Sequence, residues 1–154
     1  MSDAGINSVI AGISAALNME FGEEYTIYSE AVKQGFKEPC FFITALEPSN
    51  NRFLGNRFFR RQPFCVQYFP KSGSQPSAEC LDTAERLYEL LDIITAGGDP
   101  IRGTRMSHKI TDGVLSFFVN YDYFTIRRTD DDNKMERLSS DVSAKGKVNY
   151  EQDQ

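Results

Sequence analysis

The side chains that most often carry out chemistry in proteins are sparse in this sequence. Its 154 residues include one histidine, His108, and no tryptophan. Histidine supplies many general bases and metal ligands, so His108 is the first candidate for a reactive group. The register of a hairpin that turns at Asp112-Gly113 places His108 on the packed face of a sheet, opposite Phe117. A structural histidine is therefore the favoured interpretation.

Two other groups have residue types associated with cation or phosphate binding. Residues 130–132 are three aspartates, but adjacent carboxylates lack the spaced ligand set of a calcium loop. Gly97, Gly98 and Gly103 lack the lysine and the strand-to-helix context of a phosphate-binding loop. We therefore expect no catalytic residue, no metal and no cofactor. An enzyme or nuclease built from dispersed carboxylates and arginines is the alternative, although no convergent spacing supports it.

A third group is the arm segment, residues 47–61, which is rich in arginine and phenylalanine. Residues 48–78 contain five basic residues and no acidic one, whereas the whole chain has a formal charge of -5. Arginine and aromatic side chains are enriched in buried protein interfaces. The segment therefore predicts contact with another subunit, or with a polyanion inside a channel that the segment lines; a strand extension with exposed arginines is the alternative. The candidate residues are Arg52, Phe53, Arg57, Phe58, Phe59, Arg60 and Arg61.

Composition also limits the compartment and the partners. Three cysteines, Cys40, Cys65 and Cys80, have apolar neighbours and no CxxC spacing, which predicts buried free thiols and a reducing cytoplasm. No run reaches the roughly 18–20 apolar residues of a membrane span. The acidic net charge argues against general attraction to nucleic acid, so a regulator that binds host nucleic acid is disfavoured.

Two segments have the apolar spacing of amphipathic helices. Residues 5–21 place apolar side chains on one face, with Ser2 or Asp3 as a possible cap and Gly22 as a stop. A second helix is predicted from about residue 77 to residue 95, opened by Pro76 and closed by Gly97-Gly98.

The remaining ordered segments have the β-branched and aromatic composition of strands, at 25–29, 40–46 and 62–69. Asp112-Gly113 is typical of a two-residue hairpin turn. With that turn, Thr111 pairs with Val114, and the same register continues through His108–Phe117 to Met106–Val119 and Thr104–Tyr121.

The order helix, three strands, helix, two strands predicts an α+β fold. We expect a mostly antiparallel sheet with both helices packed on one face and a long hairpin arm between the second and third strands. Residues 1–128 are expected to form one domain. Residues 129–154 contain few apolar side chains, which favours an acidic tail that is flexible or ordered by a partner.

Four runs together resemble the tail terminator proteins of Gram-positive phages and prophages. They are YTIY at 25–28, QG at 34–35 with EPCFFI at 38–43, NRFFRR at 56–61 and FCVQYFP at 64–70. The resemblance covers about residues 5–128 and depends on the order and spacing of these runs with the two helices.

The resemblance implies a structural virion protein, not an enzyme, at the upper, head-proximal end of the tail. It implies a homo-oligomeric ring, expected to be a hexamer, that caps the tail tube protein and stops its polymerisation. The ring would join the neck or head-completion protein and, in a contractile tail, the last sheath ring, while DNA passes through the channel without specific binding. A neck adaptor of the same particle is the alternative.

Overall fold

The computed structural model describes residues 5–30, 34–71 and 75–127. Within them the chain forms two helices and ten strands, mostly in antiparallel sheets, so the predicted α+β class is confirmed. Ser2, Asp3, the aspartates at 130–132 and the predicted tail at 129–154 lie outside the described residues. The elements are α1 (Ile6–Phe21), β1 (Thr26–Tyr28), β2 (Cys40–Ala45), β3 (Ser49–Leu54), β4 (Arg57–Arg61), β5 (Pro63–Phe69), α2 (Pro76–Leu90), β6 (Ile93–Ala96), β7 (Asp99–Arg102), β8 (Thr104–Thr111), β9 (Val114–Asn120) and β10 (Tyr123–Ile126).

Helix α1 confirms the first predicted helix. Its N-cap residue is Gly5, which offers no side-chain cap. Gly22 follows the helix with a φ of 86°, a conformation that costs glycine little because it has no Cβ. The buried face is the predicted apolar stripe: Val9, Gly12, Ile13, Leu17 and Phe21.

Helix α2 begins at Pro76 as predicted, but it ends at Leu90. The prediction that it continues to Thr95 and stops at Gly97-Gly98 is wrong. Residues 93–96 instead form β6, which pairs with β7, and the two glycines lie in the turn between them with φ values of 63° and 90°. Ile94 is buried in the strand and would be buried on the apolar stripe of a longer helix, so the stripe alone does not distinguish a further helical turn from a short strand.

The main sheet has five strands in the order β1-β2-β5-β9-β8. Strands β1 and β2 are parallel, and the other pairs are antiparallel. Its apolar side chains form rows of cross-strand neighbours on one face, such as Ile43, Val66 and Phe117. These rows belong to the same buried cluster as the inner faces of α1 and α2, so both helices pack on one face of the sheet.

The β8–β9 hairpin follows the predicted register near its turn. Asp112 and Gly113 have φ values of 53° and 75°, and the pairs from Thr111–Val114 to Ser107–Phe118 are those predicted. Beyond Ser107 the prediction is wrong, because a bulge shifts Thr104 opposite Asn120. Arg105 within this bulge has a φ of 53°, and one extra residue in one strand displaces every later pair.

A second sheet contains three strands in the order β10-β4-β3. The chain divides into two compact units, and in the described residues these are 5–50 with 60–123, and 51–59 with 124–127. We call them the sheet unit and the arm unit. The predicted single domain over residues 1–128 stays a prediction.

Candidate interaction site on the arm unit

The arm segment forms β3 and β4, joined by a tight turn. Gly55 adopts a φ of 59° at that turn, which few residues other than glycine and asparagine adopt readily. The Arg52 guanidinium donates a hydrogen bond to the Gly55 carbonyl oxygen, and the Arg127 backbone N–H donates one to the Asn56 carbonyl oxygen at 2.8 Å. A side-chain bond from β3 and a backbone bond from the residue that follows β10 thus fix the turn at the end of the arm.

One cluster of the arm unit is centred on Phe124. The Phe53 ring lies 5.2 Å from the Phe124 ring and the Phe59 ring 5.0 Å, measured between centroids. The Arg57 guanidinium carbon lies 5.6 Å from the same ring centroid. Phe53 remains 60% exposed and Phe124 45% exposed. This cluster therefore presents two large apolar surfaces beside a positive charge.

A second cluster is centred on Phe58. Its ring is 7% exposed, and the guanidinium carbons of Arg52 and Arg127 lie 4.9 and 4.1 Å from its centroid. A guanidinium over an aromatic face is attracted by the negative potential of the ring. This attraction holds the two cations in place, and no carboxylate of the described residues pairs with either of them.

The last two predicted arginines belong to the sheet unit. The Arg60 guanidinium lies 5.6 Å from the Tyr123 ring, and its Nε is buried with no hydrogen-bond partner among the described residues. Arg61 is exposed. Gln62 follows; its side-chain amide is buried and likewise has no partner in the described ranges, while its backbone N–H donates to the Asp122 carboxylate at 2.8 Å.

The described part of the arm unit carries three arginines and no acidic residue. Among the described residues, no carboxylate pairs with Arg52, Arg57 or Arg127, whereas the ion pairs Arg86–Glu20 and Arg102–Asp92 lie in the sheet unit. The structure therefore gathers the predicted residues 52, 53, 57, 58 and 59, with Phe58 buried, into a cationic and aromatic surface that has no carboxylate partner among the described residues.

Phe124 and Arg127 are members of this surface that the sequence did not predict. They follow β9 by only a few residues, and the aromatic run at 123–126 has strand composition. A strand could have been inferred from that signal. Its pairing with β4, more than sixty residues earlier in the chain, could not, because local patterns do not specify distant strand partners.

His108 lies where the register placed it, and it contacts both the sheet and α2. It pairs with Phe117 across the hairpin, and its Nδ1 is hydrogen-bonded to the Tyr88 hydroxyl at 2.8 Å. The Tyr88 ring in turn packs against Phe117 at 4.8 Å between centroids. These contacts connect α2 to the sheet.

The three cysteines are free and buried, as predicted. Burial, followed by the negative charge of Glu38, raises the pKa of Cys40 to about 11. Burial also raises the pKa of Cys65 and of Cys80. Because the thiolate is the nucleophile, these groups are poorly suited to catalysis.

The same burial affects two tyrosines of the core. Burial first, and the accepting carboxylate of Glu79 second, raises the pKa of Tyr68. Burial raises the pKa of Tyr121, whose hydroxyl donates to the Leu91 carbonyl oxygen at 2.7 Å. Both hydroxyls serve as hydrogen-bond donors within the fold.

The described residues contain no group of three or more histidine, cysteine or acidic side chains that could hold a metal ion. No helix in the same ranges is long and apolar enough to cross a membrane.

A match to a protein-family model bears on the function of the chain. A family model described as "Phage tail terminator protein" matches residues 8–133. No curated protein matches the chain. A solved structure is similar at 14% identity and a TM-score of 0.38, over 82% of this chain and 99% of that chain, and this likeness is too weak to carry an argument.

The family match covers most of the chain, from within α1 through the arm unit. It includes all seven predicted interaction residues and both clusters of the arm unit. The chain therefore belongs to the phage tail terminator protein family, a family of structural rather than enzymatic proteins of the virion tail.

Proposed function

We propose that this protein forms a hexameric ring on the last ring of the tail tube, stops tube polymerisation and provides the joining surface for the neck. The chain is made in the host bacterial cytoplasm and acts at the upper, head-proximal end of the tail. In a contractile tail the same ring meets the last sheath ring. Membership of the tail terminator family supports the tail role, and the arm unit supports assembly through copies of the chain.

The described part of the arm unit, with three arginines and no acidic residue, is the observation that carries the ring proposal. Seven large hydrophobic residues are exposed among the described residues, and four of them lie in the arm unit: Phe53, Leu54, Phe124 and Ile126. Clustered exposed apolar surface on a soluble chain marks an interaction site. Arginines stacked on aromatic rings complete the composition that buried protein interfaces favour.

The arm contacts a neighbouring subunit in this proposal, and DNA is its weaker alternative. Arginines facing the channel would bind phosphates without reading sequence. Each such contact would slow DNA passage, because every neutralised phosphate adds to the binding free energy. Phe53 and Phe124 would also remain in water there, whereas a subunit contact buries them.

The experiment that tests this function is capping of tail tubes in vitro. The double variant R57E/R61E reverses two exposed charges of the arm segment. Purified tube protein is polymerised with the wild-type or variant chain, and tube length and end occupancy are measured by electron microscopy. We expect the wild type to shorten tubes and to appear as a ring at one end, and the double variant to do neither.

The matched control is K37E/K109E, which makes the same change in net charge at two exposed positions of the sheet unit. We expect this variant to cap tubes like the wild type. Capping by R57E/R61E at wild-type levels would show that the arm is not the contact. Binding of the wild type to the neck protein, with no effect on tubes, would assign it instead as a neck adaptor.

A further inference from the structure

The outward face of α2 is an acidic stripe. Asp82, Glu85 and Glu89 are all exposed and follow one another at spacings of three and four residues, so they lie along one side of the helix. Over the seven residue-to-residue steps from Asp82 to Glu89 the stripe extends about 10 Å. Leu81 lies beside its first carboxylate and is 51% exposed.

This stripe has no cationic partner within the described residues. The nearest basic residue in sequence, Arg86, is turned towards α1, where it pairs with Glu20 at 3.0 Å and lies 4.1 Å from the Phe21 ring centroid. The stripe thus combines three uncompensated negative charges with one exposed aliphatic side chain.

The cluster around Phe124 on the arm unit has the complementary chemistry. It combines the Arg57 guanidinium with the exposed rings of Phe53 and Phe124. Each surface has what the other lacks, because one offers a cation beside apolar rings and the other offers carboxylates beside an aliphatic side chain. Such complementarity orients partners and excludes wrong ones.

We propose that the arm unit of one copy docks on the outward face of α2 of a second copy, with Arg57 against Asp82 and Glu85 and with Phe53 against Leu81. This inference rests on the proposed ring function and names the surface that receives the arm. The two surfaces differ, so the contact is heterologous, and heterologous contacts close into rings when the rotation between copies permits.

Charge exchange between the two surfaces tests the proposal. R57E places a glutamate against the acidic stripe, and E85R places an arginine against the arm, so each variant alone repels its own copies. The double variant R57E/E85R restores opposite charges. A mixture of the two single variants also restores them, because alternating copies in a ring of even number pair glutamate with arginine at one contact and arginine with glutamate at the next.

The readout is the chain concentration that gives half-maximal capping of tail tubes, with thermal melting to confirm that each variant is folded. We expect each single variant to need at least about tenfold more chain than the wild type. The double variant and the equimolar mixture should return to within about threefold of it. The control E24R changes an exposed carboxylate outside α2 and should cap like the wild type.

Failure of this inference is distinguishable from failure of the proposed function. If R57E abolishes capping while E85R caps normally, the arm is an interface but α2 does not receive it. Loss of capping by E85R without rescue in the double variant or the mixture also overturns the α2 contact. If the wild type itself fails to cap tubes, the proposed function is wrong, whatever the variants do.

Discussion

The contact between α1 and β6 can be tested by adding one methyl group. Gly12 lies on the buried face of α1, and a Cβ built there would lie 2.3 Å from the Thr95 carbonyl oxygen and 3.3 Å from the Ile94 Cδ1 atom. Ordinary contacts begin at 3.4 Å. The oxygen belongs to the backbone of β6, so it cannot rotate away as a side chain would.

Two opposing effects set the outcome of Gly12→Ala. In an exposed helix this change would raise the free energy of unfolding by about 1 kcal/mol, because alanine has the higher helix propensity. Here the helix and strand must separate by roughly 1 Å, and overpacking of this kind typically costs about 1–3 kcal/mol and occasionally more. Since the contact is with rigid backbone, we expect the second effect to exceed the first and give a net loss of about 1–2 kcal/mol.

Urea unfolding monitored by circular dichroism measures this difference. The matched control is Ala15→Gly, at an exposed position of the same helix, which should lose about 1 kcal/mol through propensity alone. If Gly12→Ala gains about 1 kcal/mol while the control loses it, propensity alone governs position 12. The close approach of β6 to α1 would then be refuted.

Two further predictions concern buried polar groups. Tyr121→Phe removes the donor to the Leu91 carbonyl oxygen but keeps the ring, so it should lower the free energy of unfolding by about 1–3 kcal/mol; a change below about 0.5 kcal/mol would contradict the bond. The Cys40 pKa is raised in the folded state from 9.0 to about 11, so the unfolded thiol ionises first and stability falls as pH rises from about 9 to 11. That fall amounts to at most about 3 kcal/mol. Cys40→Ala should flatten this part of the pH profile, and an unchanged slope would show that the thiol does not contribute.

The sequence predicted local geometry well where the residue types of one segment determine its backbone conformation. Asp112-Gly113 favours a turn with two positive φ angles, and that turn fixes the neighbouring pairs. The same reasoning failed at Arg105, because the turn residues do not specify a bulge that lies beyond Ser107. An arginine with positive φ gives no signal in the sequence, and the shift at this bulge displaces the pair at Thr104.

The sequence predictions for α2 and for the arm were incomplete for different physical reasons. Ile94 is buried in a strand as it would be in a helix, so a short apolar pattern left both possible. The arm was identified by composition, and its candidate residues 52–59 do share one sheet. Phe124 and Arg127 were missed because the pairing of β10 with β4 and the bond from Arg127 to Asn56 close a long loop, which neighbouring residues do not specify.

The exposed apolar side chains of the arm unit also limit how strongly copies can associate. Full burial of a large apolar side chain contributes about 1.5–3 kcal/mol, and the four on the arm unit are already partly buried, at 45–67% exposure. Association costs at least about 4 kcal/mol in lost translational and rotational freedom, which offsets most of that gain for one isolated contact. In the proposed ring every copy would give one arm and receive another, and the tube would hold the copies in place. The arm is therefore suited to a contact that forms cooperatively on a template, which is the condition for stopping a tube only at its end.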